Sequence, residues 1–387
     1  MAPGRNKPRP RWGVWTLRKV FEVELGARSG HFTQLILPAA PYAMLDALEK
    51  LRLEEGETPT WTALSIFNCE QIADFMDEDG TLFELNALCQ QLVLLDEGQL
   101  AIVEGLAKME YEQGAQPVPL PRLIDMAYST DRCHFVEEAT DDYTLGRFCA
   151  ENGFVPEADD LSDEAYELLD FARIGLEFRQ NEGGVFTSGG YVQQHDELRQ
   201  VYETLDLTPK KPDHTILVQT ASGCEVRLPV PLGDPTGDEP VQCLDCAAPA
   251  LTGLTGAMGT WDMLAHRLAE LEVDGELPKY KALVEATGCD DICQALSLAD
   301  ELDQYMLDPK CRTPEEVAES AINFTVPQRE IPALLPHVDL YQYGQALIQA
   351  GGGELTDYGL IERCDGQPIQ AMDQERSQDQ HNGMELM

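Results

Sequence analysis

The chain has 387 residues, 43% hydrophobic and 25% charged, with 69 Asp+Glu against 27 Lys+Arg and a formal net charge of −42. That apolar share is enough for two or three buried cores and excludes bulk disorder, while the charge excludes a conventional nucleic-acid binder, which needs a basic footprint. No run of about 18 apolar residues occurs, which excludes a membrane-spanning helix.

The first nineteen residues hold Arg5, Lys7, Arg9, Arg11, Arg18 and Lys19 and no acid. With no apolar h-region they do not read as a secretory signal, and residues 1–19, Trp12 and Trp15 included, are expected to form a flexible basic leader. Residues 21–25 and 32–37 predict a strand pair joined across Gly26 and Gly30. Pro38 and Pro41 open an amphipathic helix with Met44, Leu45, Ala47 and Leu48 on its apolar side. A third strand over 62–67 completes a small α/β unit, 20–79. Leu85, Leu88, Leu92 and Leu95 fall at helical spacing, and Leu100, Val103, Leu106 and Met109 resume it after a break at Asp96-Glu97-Gly98. With a helix over 123–128, set off by Pro117, Pro119 and Pro121, they predict a helical unit, 80–135. Helices over 143–153 and 164–179, then a hairpin turned at Ser188-Gly189-Gly190, predict a mixed α/β unit with a Gly-rich hairpin, 136–207.

Beyond the linker 208–213 the chain repeats itself. Residues 215–219 and 225–229 echo the opening strands and their terminal Leu-Pro. Gly259-Thr260 with Leu264, Leu268 and Leu271 echoes Gly80-Thr81 and the Leu85 helix, and Leu283-Val284-Glu285 echoes the Leu106 region. A loop over 232–240 interrupts this second sheet. The closest echo needs no gaps: Asp170, Gly175, Gln180, Gly183, Gly184, Thr187 and Gly190 align with Asp339, Gly344, Gln349, Gly352, Gly353, Thr356 and Gly359. Matched turn glycines do not arise from shared helix amphipathicity. The expected units are a second β unit (213–258), a second helical unit (259–330), a helix-hairpin unit (331–366) and a disordered tail (367–387). The expected fold is α+β, multi-domain and elongated, with small β-rich units alternating with helical ones in two related halves.

The charge exceeds what solubility needs, which is a magnitude of roughly 2–8 on a small domain. Duplex DNA carries one negative charge per roughly 1.7 Å of axis, so forty-two charges at that pitch would line about 70 Å, or about 21 base pairs. The acids are interleaved with Phe, Leu and Tyr, so they decorate folded elements. Phosphate surrogates are expected at Asp77, Glu78, Asp79, Glu137, Glu138, Asp141, Asp142, Asp159, Asp160, Asp163 and Glu164. A halophile-like surface is the plain alternative.

At Leu168-Leu169-Asp170-Phe171-Ala172-Arg173-Ile174-Gly175, at Val338-Asp339-Leu340-Tyr341-Gln342-Tyr343-Gly344, and at the Glu84-Leu85-Asn86-Ala87-Leu88 helix, the chain resembles antirestriction proteins of the ArdA type. The motif residues are Asp170, Gly175, Asp339 and Gly344. The resemblance implies a cytoplasmic, acidic mimic of duplex DNA, carried by mobile elements, that occupies the DNA site of a type I restriction-modification enzyme or its methyltransferase core. It implies no direct nucleic-acid or membrane partner. Family members are about half this length and dimerise, so the tandem chain either replaces or adds to a homodimer. An acidic scaffold or chaperone for basic proteins, without DNA-like geometry, is the alternative from another class.

Enzyme motifs are missing: there is no G-x-x-x-x-G-K-[ST], G-x-S-x-G or H-E-x-x-H, and neither catalysis nor a cofactor is expected. Gly351-Gly352-Gly353 lies in a hairpin approach, outside the strand-to-helix context of a phosphate cradle. Cys243, Cys246, Cys289 and Cys293 have spacings that could serve zinc, against a reading as ordinary cytosolic thiols. Cys133-His134 beside Glu137 and Glu138 predicts a thiol held protonated. Tyr341 and Tyr343 read as core or dimer-contact residues.

Overall fold

The computed structural model describes residues 19–158, 161–231 and 237–369. The fold is α+β, with four small antiparallel sheets set among helices. These residues form two compact units, one of residues 19–39 and 51–209 and the other of residues 40–50 and 210–369. The leader up to Arg18, the acids Asp159 and Asp160, loop residues 232–236 and the tail from 370 lie outside the described residues.

The first unit opens with β1 (Phe21–Gly26) and β2 (Phe32–Leu37). The connection to β3 (Thr60–Ile66) contains helix α1 (Pro41–Leu51), and the sheet runs β2-β1-β3. Phe21, Val23 and Leu25 alternate inward along β1, as the period of two requires. Helices α2 (Glu70–Ala73), α3 (Leu82–Leu92), α4 (Glu97–Gly114) and α5 (Leu120–Ala127) follow. Thr81 and Asp96 form capping boxes with Glu84 and Gln99, so the sequence break at Asp96 marks the start of α4. Next come β4 (Cys133–Val136), α6 (Asp142–Glu151), α7 (Asp163–Tyr166), α8 (Phe171–Glu182), β5 (Val185–Phe186) and β6 (Tyr191–Gln194), with the sheet ordered β4-β6-β5. The continuous helix expected over 164–179 is broken. Asp170 accepts the N–H of Arg173 and caps a new start at Phe171, which separates α7 from α8.

The second unit has β7 (Ile216–Thr220), β8 (Glu225–Leu228), β9 (Pro240–Cys246) and β10 (Thr255–Ala257), ordered β10-β9-β7-β8. Helices α9 (Met258–Asp274), α10 (Leu277–Thr287) and α11 (Ile292–Asp300) lead to β11 (Tyr305–Asp308). Then come α12 (Pro314–Thr325), α13 (Ile331–Leu334), α14 (Leu340–Gly351), β12 (Glu354–Thr356) and β13 (Gly359–Arg363), with the sheet ordered β11-β13-β12. Thr260 lies inside α9, whose N-cap is Ala257, so it does not repeat the capping role of Thr81.

The two halves are related in register as well as in order. Phe21 pairs Leu37 and Ile66, as Ile216 pairs Leu228 and Cys246. The β1–β3 ladder shifts between Glu22 and Val23, and the β7–β9 ladder shifts at the matching step, between Leu217 and Val218. Leu37–Pro38 and Leu228–Pro229, at the ends of β2 and β8, are both cis. The hairpins agree too: Thr187 and Thr356 donate their hydroxyls to the carbonyls of Gly190 and Gly359. Those glycines have φ of +148° and +143°, a region that favours glycine.

Helix α1 departs from the predicted organisation. It follows β2 in the chain, yet residues 40–50 belong to the second unit, and Tyr42 is part of that unit's apolar core with Trp261, Leu264 and Leu283. Residues 20–79 therefore do not form one compact body. Amphipathicity foretold the helix, but the surface that buries it is about two hundred residues away in the chain.

Candidate functional site

The expected phosphate surrogates that can be placed sit on turns and helix starts of the first unit. Asp77 anchors one turn: its N–H donates to the carbonyl of Val118 and its Oδ1 accepts the N–H of Asp79 at 3.0 Å. Glu78 and Asp79 are exposed beside it, as are Glu137 and Glu138 after β4 and Glu164 on α7. Asp163 contributes backbone to α7. Among the described residues, none of Asp77, Glu78, Asp79, Glu137, Glu138, Asp141 and Glu164 has a Lys or Arg within ion-pair distance, 4.0 Å.

Asp141 and Asp142 differ although they are adjacent. Asp141 is the N-cap of α6, with Oδ1 accepting the N–H of Thr144 at 2.7 Å. That bond and the Thr144 hydroxyl hold its carboxyl below the ordinary value, so its charge is secure. Asp142 instead receives Arg179 on both oxygens, Nε at 2.8 Å and Nη2 at 3.1 Å. A bidentate guanidinium neutralises it locally, which weakens its standing as a phosphate surrogate.

The four motif residues prove architectural. Asp170 and Asp339 cap α8 and α14 by accepting the N–H of Arg173 and Gln342. Gly175 lies where a Cβ would collide with the carbonyl of Asp142, and Gly344 where one would collide with the carbonyl of Pro314. The spacing Asp-x-x-x-x-Gly thus encodes a helix start and, just over one turn later, a bare crossing point against an earlier helix, α6 for Gly175 and α12 for Gly344.

Sequence reasoning missed a buried ionic cluster in the second unit. Lys281 Nζ lies 2.7 Å from both Asp46 Oδ1 and Glu49 Oε2. The Tyr358 hydroxyl donates to Asp46 Oδ1 at 2.8 Å. Lys50 reaches Asp357 at 3.0 Å, Glu285 at 3.5 Å and Asp46 at 3.6 Å, and sits 4.9 Å from the Tyr358 ring centroid. Burial pulls both ammonium groups down, but the surrounding carboxylates, Asp46 foremost, reverse this and hold both above their ordinary value. Burial pushes Glu285 and Tyr358 up. A lysine inside the apolar run Tyr280-Lys281-Ala282-Leu283-Val284 was the available signal, since an unpaired charge is not tolerated there.

The cysteine readings resolve plainly. Among the described residues no group of three or more His, Cys, Asp or Glu side chains could hold a metal ion. Cys243, Cys246 and Cys289 are buried while Cys293 is exposed. Burial, with Asp131 in support, pushes the Cys133 thiol up to about 12. Burial dominates here, rather than the acids at 137 and 138. His134 is exposed beside the half-buried Cys133, and its ring lies tilted by 35° against that of His195, centroids 4.4 Å apart. Tyr341 and Tyr343 are exposed. Among the described residues no helix is long and apolar enough to cross a membrane.

Compared with known proteins, the chain matches no family model and no curated sequence.

Proposed function

We propose that this protein is an acidic mimic of duplex DNA that inhibits a type I restriction-modification enzyme, or its methyltransferase core, by occupying the DNA-binding site. The observation that carries the reading is a set of exposed carboxylates at Glu78, Asp79, Glu137, Glu138 and Asp141, fixed at ordered turns and a helix cap and free of cationic partners among the described residues, in a chain of net charge −42. A cleft built to bind phosphates recognises field and spacing, and fixed carboxylates supply both without the entropy loss of ordering a flexible polyanion. The reading assigns the chain no catalysis, no cofactor and no nucleic acid of its own, and places it in the cytoplasm with its target.

Binding on this reading follows the electrostatics of a protein–DNA contact, weakening steeply as salt screens the field and as counterions cease to be released. The test is competition. Increasing amounts of the chain should displace a labelled duplex from a methyltransferase core near equimolar ratio at low salt, and lose that ability as salt rises. Failure to displace duplex, together with tight binding to histone-like basic proteins, would replace mimicry with an acidic scaffold.

A further inference from the structure

The two halves bury unequal amounts of the same surface. In the second unit α1 lies on the sheet: the N–H of Tyr42 donates to Asp245 Oδ1 at 3.1 Å, and its hydroxyl donates to the carbonyl of His214 at 2.7 Å. Its ring packs edge-on to His214, with centroids 5.8 Å apart. One turn later Asp46 receives Lys281 and Tyr358.

The shared register locates the counterpart of this seat in the first unit. Lys19 stands where His214 does, one residue before the matched N–H donors Val20 and Thr215, and Ser65 stands where Asp245 does. Leu100 stands where Lys281 does, because Glu104 and Glu285, each four residues on, both accept a hairpin-tip N–H, from Ser188 at 3.0 Å and Asp357 at 2.9 Å.

At this counterpart a groove of about 590 Å³ opens between Lys19 and Leu100, floored by Val20, Phe67 and Leu95. Glu70, Asp96 and Glu97 are exposed on its rim. Leu64 on β3 is 47% exposed, whereas its register counterpart Leu244 on β9 is 4% exposed. The chain provides one helix for two related seats: α1 interrupts the β2–β3 connection, and the described part of the β8–β9 connection carries no helix.

We propose that this groove is a docking seat for a basic amphipathic helix of a partner protein, which enters with an aromatic side chain at the Lys19 end and lays aliphatic residues over Leu100. The seat's form follows from what α1 does in the other half. The acidic rim and the net charge of −42 select a cationic occupant. The inference does not depend on the DNA-like reading.

The probe is a fluorescein-labelled peptide of residues 39–52 carrying Asp46→Lys and Glu49→Lys, which keeps the Pro41-Tyr42 lead and the aliphatic stripe. Its anisotropy is followed against the full chain, with a scrambled peptide of the same composition as control. The expected result is saturable binding at least tenfold tighter than the scramble, weakened tenfold or more by Leu100→Lys in the full chain, with circular dichroism showing that variant folded. Leu100→Met, which keeps an apolar side chain at that position, should retain binding. Equal binding of the scramble, or indifference to Leu100→Lys, would reduce the effect to bulk charge attraction and overturn the proposal. Self-association through this groove, seen as a concentration-dependent dimer that Leu100→Lys dissolves without any peptide binding, would also overturn it by making a second copy the occupant.

Discussion

Gly146 of α6 and Gly175 of α8 face one another at the helix crossing, and a Cβ built on either would run into the other helix's backbone. The same contact recurs between Pro314 of α12 and Gly344 of α14. Both helix pairs depend on backbone-to-backbone approach that no larger residue permits.

Gly175→Ala and Gly344→Ala should therefore each destabilise their unit by roughly 2–4 kcal/mol, since backbone cannot yield as a flexible side chain can. Gly114→Ala, at the end of α4 with open space around it, should change stability by less than about 1 kcal/mol. Urea unfolding monitored by circular dichroism separates these outcomes.

Lys281→Met should cost about 3 kcal/mol or more, because it leaves Asp46 buried with one cation fewer while filling similar volume. Replacing Lys281 and Asp46 together by Met and Leu should recover much of that loss, since burying neither charge avoids both desolvation costs. A double-mutant cycle on unfolding midpoints measures the coupling.

The same cluster sets an alkaline limit. Lys50 and Lys281 are held above the ordinary ammonium value in the folded chain, so their contribution is fully present below the unfolded pKa, near 10.4, and is lost as pH rises through the folded values. The buried Tyr358 hydroxyl, also raised, acts in the same direction, because only the unfolded state ionises it readily above about pH 10. Unfolding midpoints measured from pH 8 to 12 should fall above pH 10, and Lys281→Met should flatten the fall.

At the acid end the sign is reversed. Asp141 is held below the ordinary carboxylate value by Thr144, so its stabilising effect is present above about pH 4 and lost as pH falls below it. Asp141→Ala should lower the thermal midpoint at pH 7 and reduce its drop between pH 5 and pH 2.

Inhibition by a collective field should be insensitive to any one carboxylate. Glu137→Gln alone should change the concentration for half-displacement of duplex by less than about fivefold, since one screened surface charge is worth under about 1 kcal/mol. Neutralising Glu78, Asp79, Glu137 and Glu138 together should weaken it far more and flatten its salt dependence. A single Asp→Asn change that abolished displacement would replace mimicry with a discrete site.

Local rules carried far into this protein. Strand alternation over residues 21–25 and 32–37, a helix break at Asp96 (though Glu97 and Gly98, read as part of it, open α4), the turn glycines 183, 190, 352 and 359, and the relation between halves were legible, because each depends on neighbours a few residues apart. The short strands β4 and β11 were not, since each is held by a ladder to a hairpin more than fifty residues later. Asp142 looked like any other exposed acid until Arg179, thirty-seven positions on, was seen to engage it.

What the amino-acid order determined by itself is the charge, the periodicity and the turn chemistry, all properties of short stretches and their sums. Only the tertiary structure decided that α1 leaves its flanking strands and that Asp46 meets Lys281 across 235 positions. It also decided that one half buries the surface the other leaves open. Desolvation is the reason: whether a lysine or an apolar edge is tolerable depends on what covers it, and the covering residues are chosen by packing in space, not by nearness along the chain.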